Sequence, residues 1–373
     1  MRSWGEPPWH GVKVPARPLE NSTPEVAIIG GGLTGVAAAY YLARRGLRPV
    51  VLEAERVGDG ASGRTGGIVL EGTARGIVAG ADRCVPTLAQ LVKEAGIDCD
   101  LRLPGCWEIA HRDDTAGEAL PWKDDGHGVR IVRTVAGGTV DPMALLTQLA
   151  VAAAGAGAVL HEHAAVRRLI IEPHPVEPHP VLELEGAVIR PRFVIVAVNA
   201  WTSHLLPGIR QVESSLTFAC ATEPLSDSTL DDLGLGRAIP FYTVDTPYLW
   251  GRETQDRRMI FGAGLTYRAP GELERLDLDA AEPAAALARL ETRVRRLHPA
   301  LRDVRVTHRW GGPIGIPQGG MPLIGSLPQA PAILVAGGYS GHGVALSVWM
   351  GRCLAHGIVE GEPFPAWGTV ARD

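Results

Sequence analysis

Three glycines in fixed spacing, Gly30, Gly32 and Gly35, stand between a short apolar run and an alanine-rich one. They leave the start of this chain little choice of fold. Glu25-Val-Ala-Ile-Ile-Gly30 has the uninterrupted, β-branched character of a buried parallel strand. The first glycine allows a tight turn, the second lets backbone N–H groups approach a pyrophosphate, and the third lets the next helix pack closely on the strand. Leu33 to Arg45 reads as that helix, with Gly46 as its stop. Arg48 to Leu52 is a second strand, and Glu53 stands at its carboxyl end. A carboxylate about 20 residues past the glycines accepts hydrogen bonds from ribose hydroxyls. Gly-x-Gly-x-x-Gly alone carries little weight. With strand, helix, stop and acid in register it is a complete β-α-β unit for a dinucleotide.

Which dinucleotide depends on the next segment. Gly58-Asp-Gly-Ala-Ser-Gly-Arg-Thr-Gly-Gly67 is a second glycine-rich loop, placed directly after the ribose-binding acid. It would expose many backbone donors, and Arg64 adds a fixed cation that could pair with phosphate. A nicotinamide fold usually continues here into another helix and strand, so the loop leans toward FAD. Read locally, it could also be a flexible surface loop.

Val26-Ala-Ile-Ile-Gly-Gly-Gly-Leu-Thr-Gly35, Val51-Leu-Glu-Ala54 and Gly60-Ala-Ser-Gly-Arg-Thr-Gly-Gly67 together resemble the D-amino-acid oxidase superfamily, which includes glycine oxidase and sarcosine oxidase. Ile333-Leu-Val-Ala-Gly-Gly-Tyr-Ser-Gly-His-Gly-Val344 resembles that family's distal flavin loop. Gly138-Thr-Val-Asp-Pro142, Val166 and Val194-Ile-Val-Ala-Val-Asn-Ala-Trp201 resemble landmarks between them. The likeness runs from about residue 24 to 358, and it is nearest to the γ-glutamylputrescine oxidase branch. It implies an α/β (α+β) fold, in which a Rossmann-like FAD domain is interleaved with an antiparallel-sheet substrate domain. The expected division is a leader over 1–23, an FAD domain over 24–82, 138–205 and 310–373, and a substrate domain over 83–137 and 206–309.

The resemblance also implies where FAD sits. Gly30, Gly32, Leu33 and Thr34 would face the pyrophosphate at a helix N-terminus, where unpaired N–H groups favour anions. Glu53, with Ala54 beside it, would hold the adenosine ribose, and Val166 would offer its backbone to adenine. Ala61, Ser62, Arg64, Thr65, Gly66 and Gly67 would line the way to the isoalloxazine, with Asn199, Ala200 and Trp201 nearby. Gly338, Tyr339, Ser340, Gly341, His342, Gly343 and Val344 would wrap its pyrimidine side. The helix expected from Val344 to Leu354 would turn its positive end to the ring, where reduced flavin gains negative charge. Some relatives attach flavin through a cysteine near the stretch Trp310–Gly325, which has none here. Noncovalent FAD is expected.

The implied reaction oxidises a carbon–nitrogen bond of a small amine or amino acid, giving an imine that water hydrolyses. An ammonium has no lone pair to support the developing iminium, so the amine must be neutral, and desolvation can supply that without a strong base. Candidate catalytic residues are Tyr248, Trp250, Tyr339 and His342, whose aromatic faces suit an amine; for Tyr248 and Trp250 core packing is an equal alternative. Glycine-oxidase-like members carry a carboxylate-clamping arginine after a Trp-x-Gly element, and the matching position in Trp310-Gly-Gly-Pro-Ile-Gly315 is Ile314. Arg252, Arg258 or Arg268 could supply a substitute guanidinium. No lysine occurs in Met259–Gly262, where some relatives use one to speed reaction with oxygen.

Composition fits this reading. The 373 residues, 46% of them hydrophobic, can bury a large core, and a formal charge of −5 without a basic tract argues against a nucleic-acid partner. The start lacks the apolar core of a signal peptide and no membrane span is expected, so the chain reads as cytoplasmic. Cys84, Cys99, Cys106, Cys220 and Cys353 form no C-x-x-C pair, and the histidines of 173–180 alternate with prolines, so no metal is expected. An electron-accepting partner subunit, a homo-oligomer and a noncatalytic FAD-binding role stay open. A nicotinamide dehydrogenase would leave the Gly337–Gly343 loop unexplained.

Overall fold

The computed structural model describes residues 4–111, 117–172, 179–206, 209, 212–268, 273, 277–368 and 370, with the backbone alone over 265–268. Among these residues, two large sheets carry the architecture. The first has six strands in the order Leu323–Leu327, Ala330–Gly337, Phe193–Val196, Val26–Ile29, Val50–Leu52 and Val159–His161. All run parallel except Leu323–Leu327, which pairs antiparallel with its neighbour.

The side chains of this sheet alternate between two cores. Val26, Ile28, Val51 and Ile195 face the helices Leu33–Ala43, Cys84–Ala95, Pro142–Gly155 and Gly343–Glu360. Ala27, Ile29, Val50 and Leu52 face Leu182, Leu184 and Ile189 of a three-stranded antiparallel sheet. The continuous apolar run of Val26–Ile29 is thus buried on both faces. Asp141 caps its helix as Asp-Pro predicts, accepting hydrogen bonds from the N–H groups of Met143 and Ala144 at 3.0 and 2.9 Å. The first helix ends at Ala43, and Gly46 takes the left-handed conformation at φ +87°.

The second sheet has eight strands: Val306–Pro317, Val212–Pro224, Arg258–Arg268, Trp250–Glu253, Phe241–Thr243, Cys106–Ala110, His127–Val135 and Glu118–Asp124. All neighbours are antiparallel except Phe241–Thr243 with Cys106–Ala110. The helix Ala281–Leu297 covers one face through Leu290, Val294 and Leu297, which pack in one core with Trp107, Trp122 and Phe261. The boundary expected at residue 310 falls inside the strand Val306–Pro317, because its pairing with Val212–Pro224 continues to Pro317. Residues 173–178 of the His- and Pro-rich piece lie outside the described residues, and His179 and Pro180 begin the strand His179–Leu184.

Two helix contacts fix the first layer. A Cβ on Gly35 would lie 2.0 Å from the Gly30 carbonyl oxygen, so the third glycine of the fingerprint is required by contact with its own turn. A Cβ on Gly351 would lie 2.7 Å from the Thr34 carbonyl oxygen and 2.8 Å from Ala37 Cβ, where Gly343–Glu360 crosses Leu33–Ala43. Overpacking a close crossing costs about 1–3 kcal/mol. Gly351→Val should therefore lower the thermal midpoint by several degrees and weaken FAD retention; an unchanged melting curve would contradict this packing.

Candidate functional site

A cavity of about 500 Å³ lies between the two sheets, within the size range of pockets for organic ligands. From the first layer it is lined by Gly32, Leu33 and Thr34 at one helix N-terminus, by Ala61, Ser62, Arg64, Thr65 and Gly66, by Asn199, and by Tyr339 to Val344 at a second helix N-terminus. Across from these stand Tyr242, Tyr248, Trp250, Trp310 and Ile314. Seventeen expected positions therefore converge from five separate stretches of chain. Gly30, Glu53, Ala54, Gly67, Val166, Ala200, Trp201 and Gly338 are outside that lining.

The glycine turn is built for close approach. Gly30 has φ +106°, and a Cβ there would lie 2.6 Å from the Ala197 carbonyl oxygen. The Leu33 N–H donates to Ser62 Oγ at 3.0 Å, which draws the second glycine loop over the helix N-terminus. Glu53 closes the turn from behind: its carboxylate accepts from the N–H of Gly31 at 2.7 Å and of Glu55 at 3.0 Å. Burial pushes its pKa above the ordinary value, against these two hydrogen bonds.

The distal loop is similarly fixed. Tyr339 and Thr34 share a hydrogen bond between hydroxyls at 2.5 Å, and burial raises the Tyr339 pKa to about 12. Asn199 Oδ1 accepts from the Gly338 N–H at 2.9 Å, and the Ser340 N–H donates to the Gly315 carbonyl at 3.0 Å. Gly338, Ser340 and Gly341 all have positive φ, so this loop needs its glycines. Burial pushes the His342 pKa down, which favours the neutral imidazole.

Trp250 is locked in place. Its ring is wedged between Gly66 and Gly262, where added Cβ atoms would lie 2.2 and 2.0 Å from ring carbons. Tyr248 lies in the loop before Trp250–Glu253 and is 41% exposed, so this part of the cavity opens outward. Tyr242 was missed by sequence reasoning. It lines the cavity with its ring 6.3 Å from that of His342, and its hydroxyl donates to Glu108 at 2.6 Å. Burial works against the Glu108 charge, but hydrogen bonds from Arg133 and Tyr242 hold its pKa below the ordinary value.

The N-terminal segment, expected as a separate leader, packs against residues that line the cavity. Trp9 Nε1 donates to the Gly63 carbonyl at 2.7 Å, and its ring meets Trp310 edge-on at 5.5 Å. Trp4 stacks on Trp201, and its carbonyl accepts from the Gly311 N–H. Arg64 donates to the carbonyls of Trp4, Gly5 and Asp59 and lies over the Trp4 ring. Two tryptophans within six residues were the available signal, because such side chains are seldom left in water.

Of the proposed substitute guanidiniums, Arg252 and Arg258 are not among the residues that line the cavity. Arg252 is 3% exposed, donates to the Gly66 carbonyl at 2.6 Å and has its pKa lowered to about 10 by burial. Arg258 is engaged by Asp256, Thr222 and Thr307. The Arg268 side chain lies outside the described residues. Among the described residues the lining contains no Asp, Glu, Lys or Cys. Burial raises the thiols of Cys84, Cys99, Cys220 and Cys353 to about 12.

A family model described as FAD dependent oxidoreductase matches residues 25–356. The chain belongs to this DAO family of FAD-dependent oxidoreductases. It is similar to the probable oxidoreductase OrdL of Rhizobium meliloti (strain 1021), with 27% identity covering 93% of this chain and 87% of the relative. It is 29% identical to the γ-glutamylputrescine oxidoreductase of Escherichia coli (strain K12), covering 90% and 84% of the two chains. Its fold matches that of crystalline glycine oxidase from Geobacillus kaustophilus with a TM-score of 0.76 and 21% identity, over 95% of this chain and 99% of that one. The protein is an FAD-dependent oxidoreductase of the amine and amino-acid oxidase type. Among the described residues, no helix of this oxidoreductase is long and apolar enough to cross a membrane.

The residues present fit FAD. A turn with no room for a side chain at Gly30 or Gly35, two helix N-termini on one cavity and a half-buried carboxylate behind the turn suit a pyrophosphate, a flavin and a ribose. A hydrogen bond to an ionised acceptor contributes about 1.5–3 kcal/mol. Glu53→Gln should therefore weaken FAD binding by on the order of tenfold, read by titrating the apoprotein with FAD. An unchanged dissociation constant would remove Glu53 from the ribose site.

Proposed function

We propose that this oxidoreductase oxidises a carbon–nitrogen bond in an amine or N-substituted amino acid whose reacting carbon bears no carboxylate. Bound FAD supplies the two-electron acceptor for a hydride from the carbon beside the nitrogen, and water hydrolyses the imine. The carrying observation is the far wall of the cavity, where Tyr242, Tyr248, Trp250, Trp310 and Ile314 stand and Arg252 and Arg258 do not. Isoleucine offers a carboxylate no donor, whereas an arginine in its place would bind one through two parallel hydrogen bonds.

The protein's own work is positioning and desolvation. Aromatic faces attract the amine as a cation when it arrives. Once the amine is enclosed, apolar walls disfavour the ammonium and release the lone pair that the reaction requires. No side-chain base is needed for that step, in keeping with a lining that has no carboxylate or lysine among the described residues. Trp250, held between two glycines, would set the distance of the substrate from the glycine loops. Tyr339, His342 and the backbone of the distal loop would hold the flavin, noncovalently. The Escherichia coli relative is named for γ-glutamylputrescine, an amine, which supports an amine over a simple α-amino acid.

Ile314→Arg tests the substrate class. The variant should raise kcat/KM for small α-amino acids relative to simple amines by on the order of tenfold or more. A ratio that does not move, in a variant that keeps its FAD, would contradict the assignment of Ile314 to the substrate wall.

A further inference from the structure

A group of four ionisable side chains, two of them buried and two half-buried, lies beside the loop that carries Tyr248. His111, at the end of Cys106–Ala110, is 7% exposed, and Asp124 is 1% exposed. The two ring nitrogens of His111 contact different carboxylates, Asp124 at Nε2 and Asp245 at Nδ1, each at 2.6 Å. The His111 backbone N–H donates to the other oxygen of Asp245 at 2.9 Å. Arg293, from the helix Ala281–Leu297, donates to both oxygens of Asp124 at 2.8 and 2.6 Å. It also donates to the carbonyls of Pro247 and Tyr248 at 2.7 and 2.8 Å.

The consequence is mechanical. Asp245, Pro247 and Tyr248 belong to one loop, and that loop presents the Tyr248 side chain to the cavity. The ends of the loop are tied by the Val244 N–H to the Ile109 carbonyl and the Leu249 N–H to Thr243 Oγ1, each at 2.9 Å. Between them His111 holds Asp245, Arg293 holds the carbonyls of Pro247 and Tyr248, and Asp124 joins the two holders. With the imidazole protonated, two cations and two anions balance. With it neutral, one ring nitrogen turns a lone pair to a carboxylate, and the group carries an uncompensated negative charge where that is costly.

We propose that His111, Asp124, Asp245 and Arg293 form a charge-balanced bracket that positions Tyr248 at the substrate-facing wall. His111, Asp124 and Arg293 touch neither the cavity nor, on the reading of function above, the substrate. They are positioning residues that act through the loop. The claim that substrate affinity follows rests on that reading, while the bracket itself can be tested without it.

The direction with pH follows from the partners. Among the described residues, the charged groups facing His111 are Asp124 at the end of Glu118–Asp124, two strands away in the sheet, and Asp245 in the loop, with Arg293 of the helix behind Asp124. The hydrogen bond to Asp124 raises the His111 pKa, outweighing burial, and Asp245 adds to it. A raised histidine pKa gives a contribution complete below the ordinary histidine value and lost as pH climbs through the folded value.

Hydrogen–deuterium exchange of the FAD-loaded protein, without substrate, reads the loop directly. Exchange at residues 244–249, divided by the intrinsic rate at each pH, should stay slow at low pH and accelerate as His111 deprotonates. Asp245→Asn should move that acceleration to lower pH, and His111→Gln should make exchange fast and independent of pH. In both variants KM for the amine should rise by on the order of tenfold with kcat changed far less. Folded, FAD-retaining His111→Gln with wild-type exchange over 244–249 would overturn the bracket. Faster exchange with unchanged KM would overturn the link to the substrate wall. If the wild type oxidises no amine, the reading of function fails, and the exchange data still decide the bracket.

Discussion

The site depends on the crossing of two helices, Leu33–Ala43 and Gly343–Glu360, at a distance that only small residues allow. Gly351 rests against Thr34, Ala37 and Ala38, and a hydrogen bond between Thr34 and Tyr339 ties the two helix starts together. Because they cross here, both N-termini end on the same cavity, one through Leu33 and Thr34 and the other through Gly343 and Val344. Each contributes N–H groups that have no partner within the helix and a fractional positive charge. A pyrophosphate and an electron-rich ring are the natural occupants of such a place. Among the described residues the second sheet supplies no charged side chain to the lining, and on the proposed function its aromatic wall is what receives the amine.

Much of this was legible because local rules and the global fold agree. The strand-turn-helix at Val26–Ala43 has every signal in register, and the structure needs Gly30 for its conformation and Gly35 for contact, while Gly32 lies against the Ser62 hydroxyl. Asp141-Pro142 marked a helix start, and Val344 to Leu354 read as helical inside Gly343–Glu360. The glycine loops converge on one cavity because a parallel sheet gathers the ends of its strands on one edge.

The rest was hidden for physical reasons. Tyr242 sits on a three-residue strand, and nothing local to Phe241-Tyr242-Thr243 says that its ring faces His342 across the chain. Trp4 and Trp9 read as leader because their partners, Trp201, Gly63 and Trp310, are remote in sequence. Arg252 was a plausible carboxylate clamp by type and position. Its guanidinium is instead spent on the Gly66 carbonyl and lies over the Trp9 ring, so it holds the glycine loop to the second sheet. The group around His111 joins residues up to 182 positions apart, from 111 to 293, and such pairings leave no trace in spacing.

The most direct test of the account is the visible spectrum of the purified protein, recorded anaerobically as amines and α-amino acids are added. The account predicts an oxidised-flavin spectrum that bleaches with an amine and far less with simple α-amino acids. A colourless protein unable to take up FAD, or a yellow one that no amine bleaches, would contradict it.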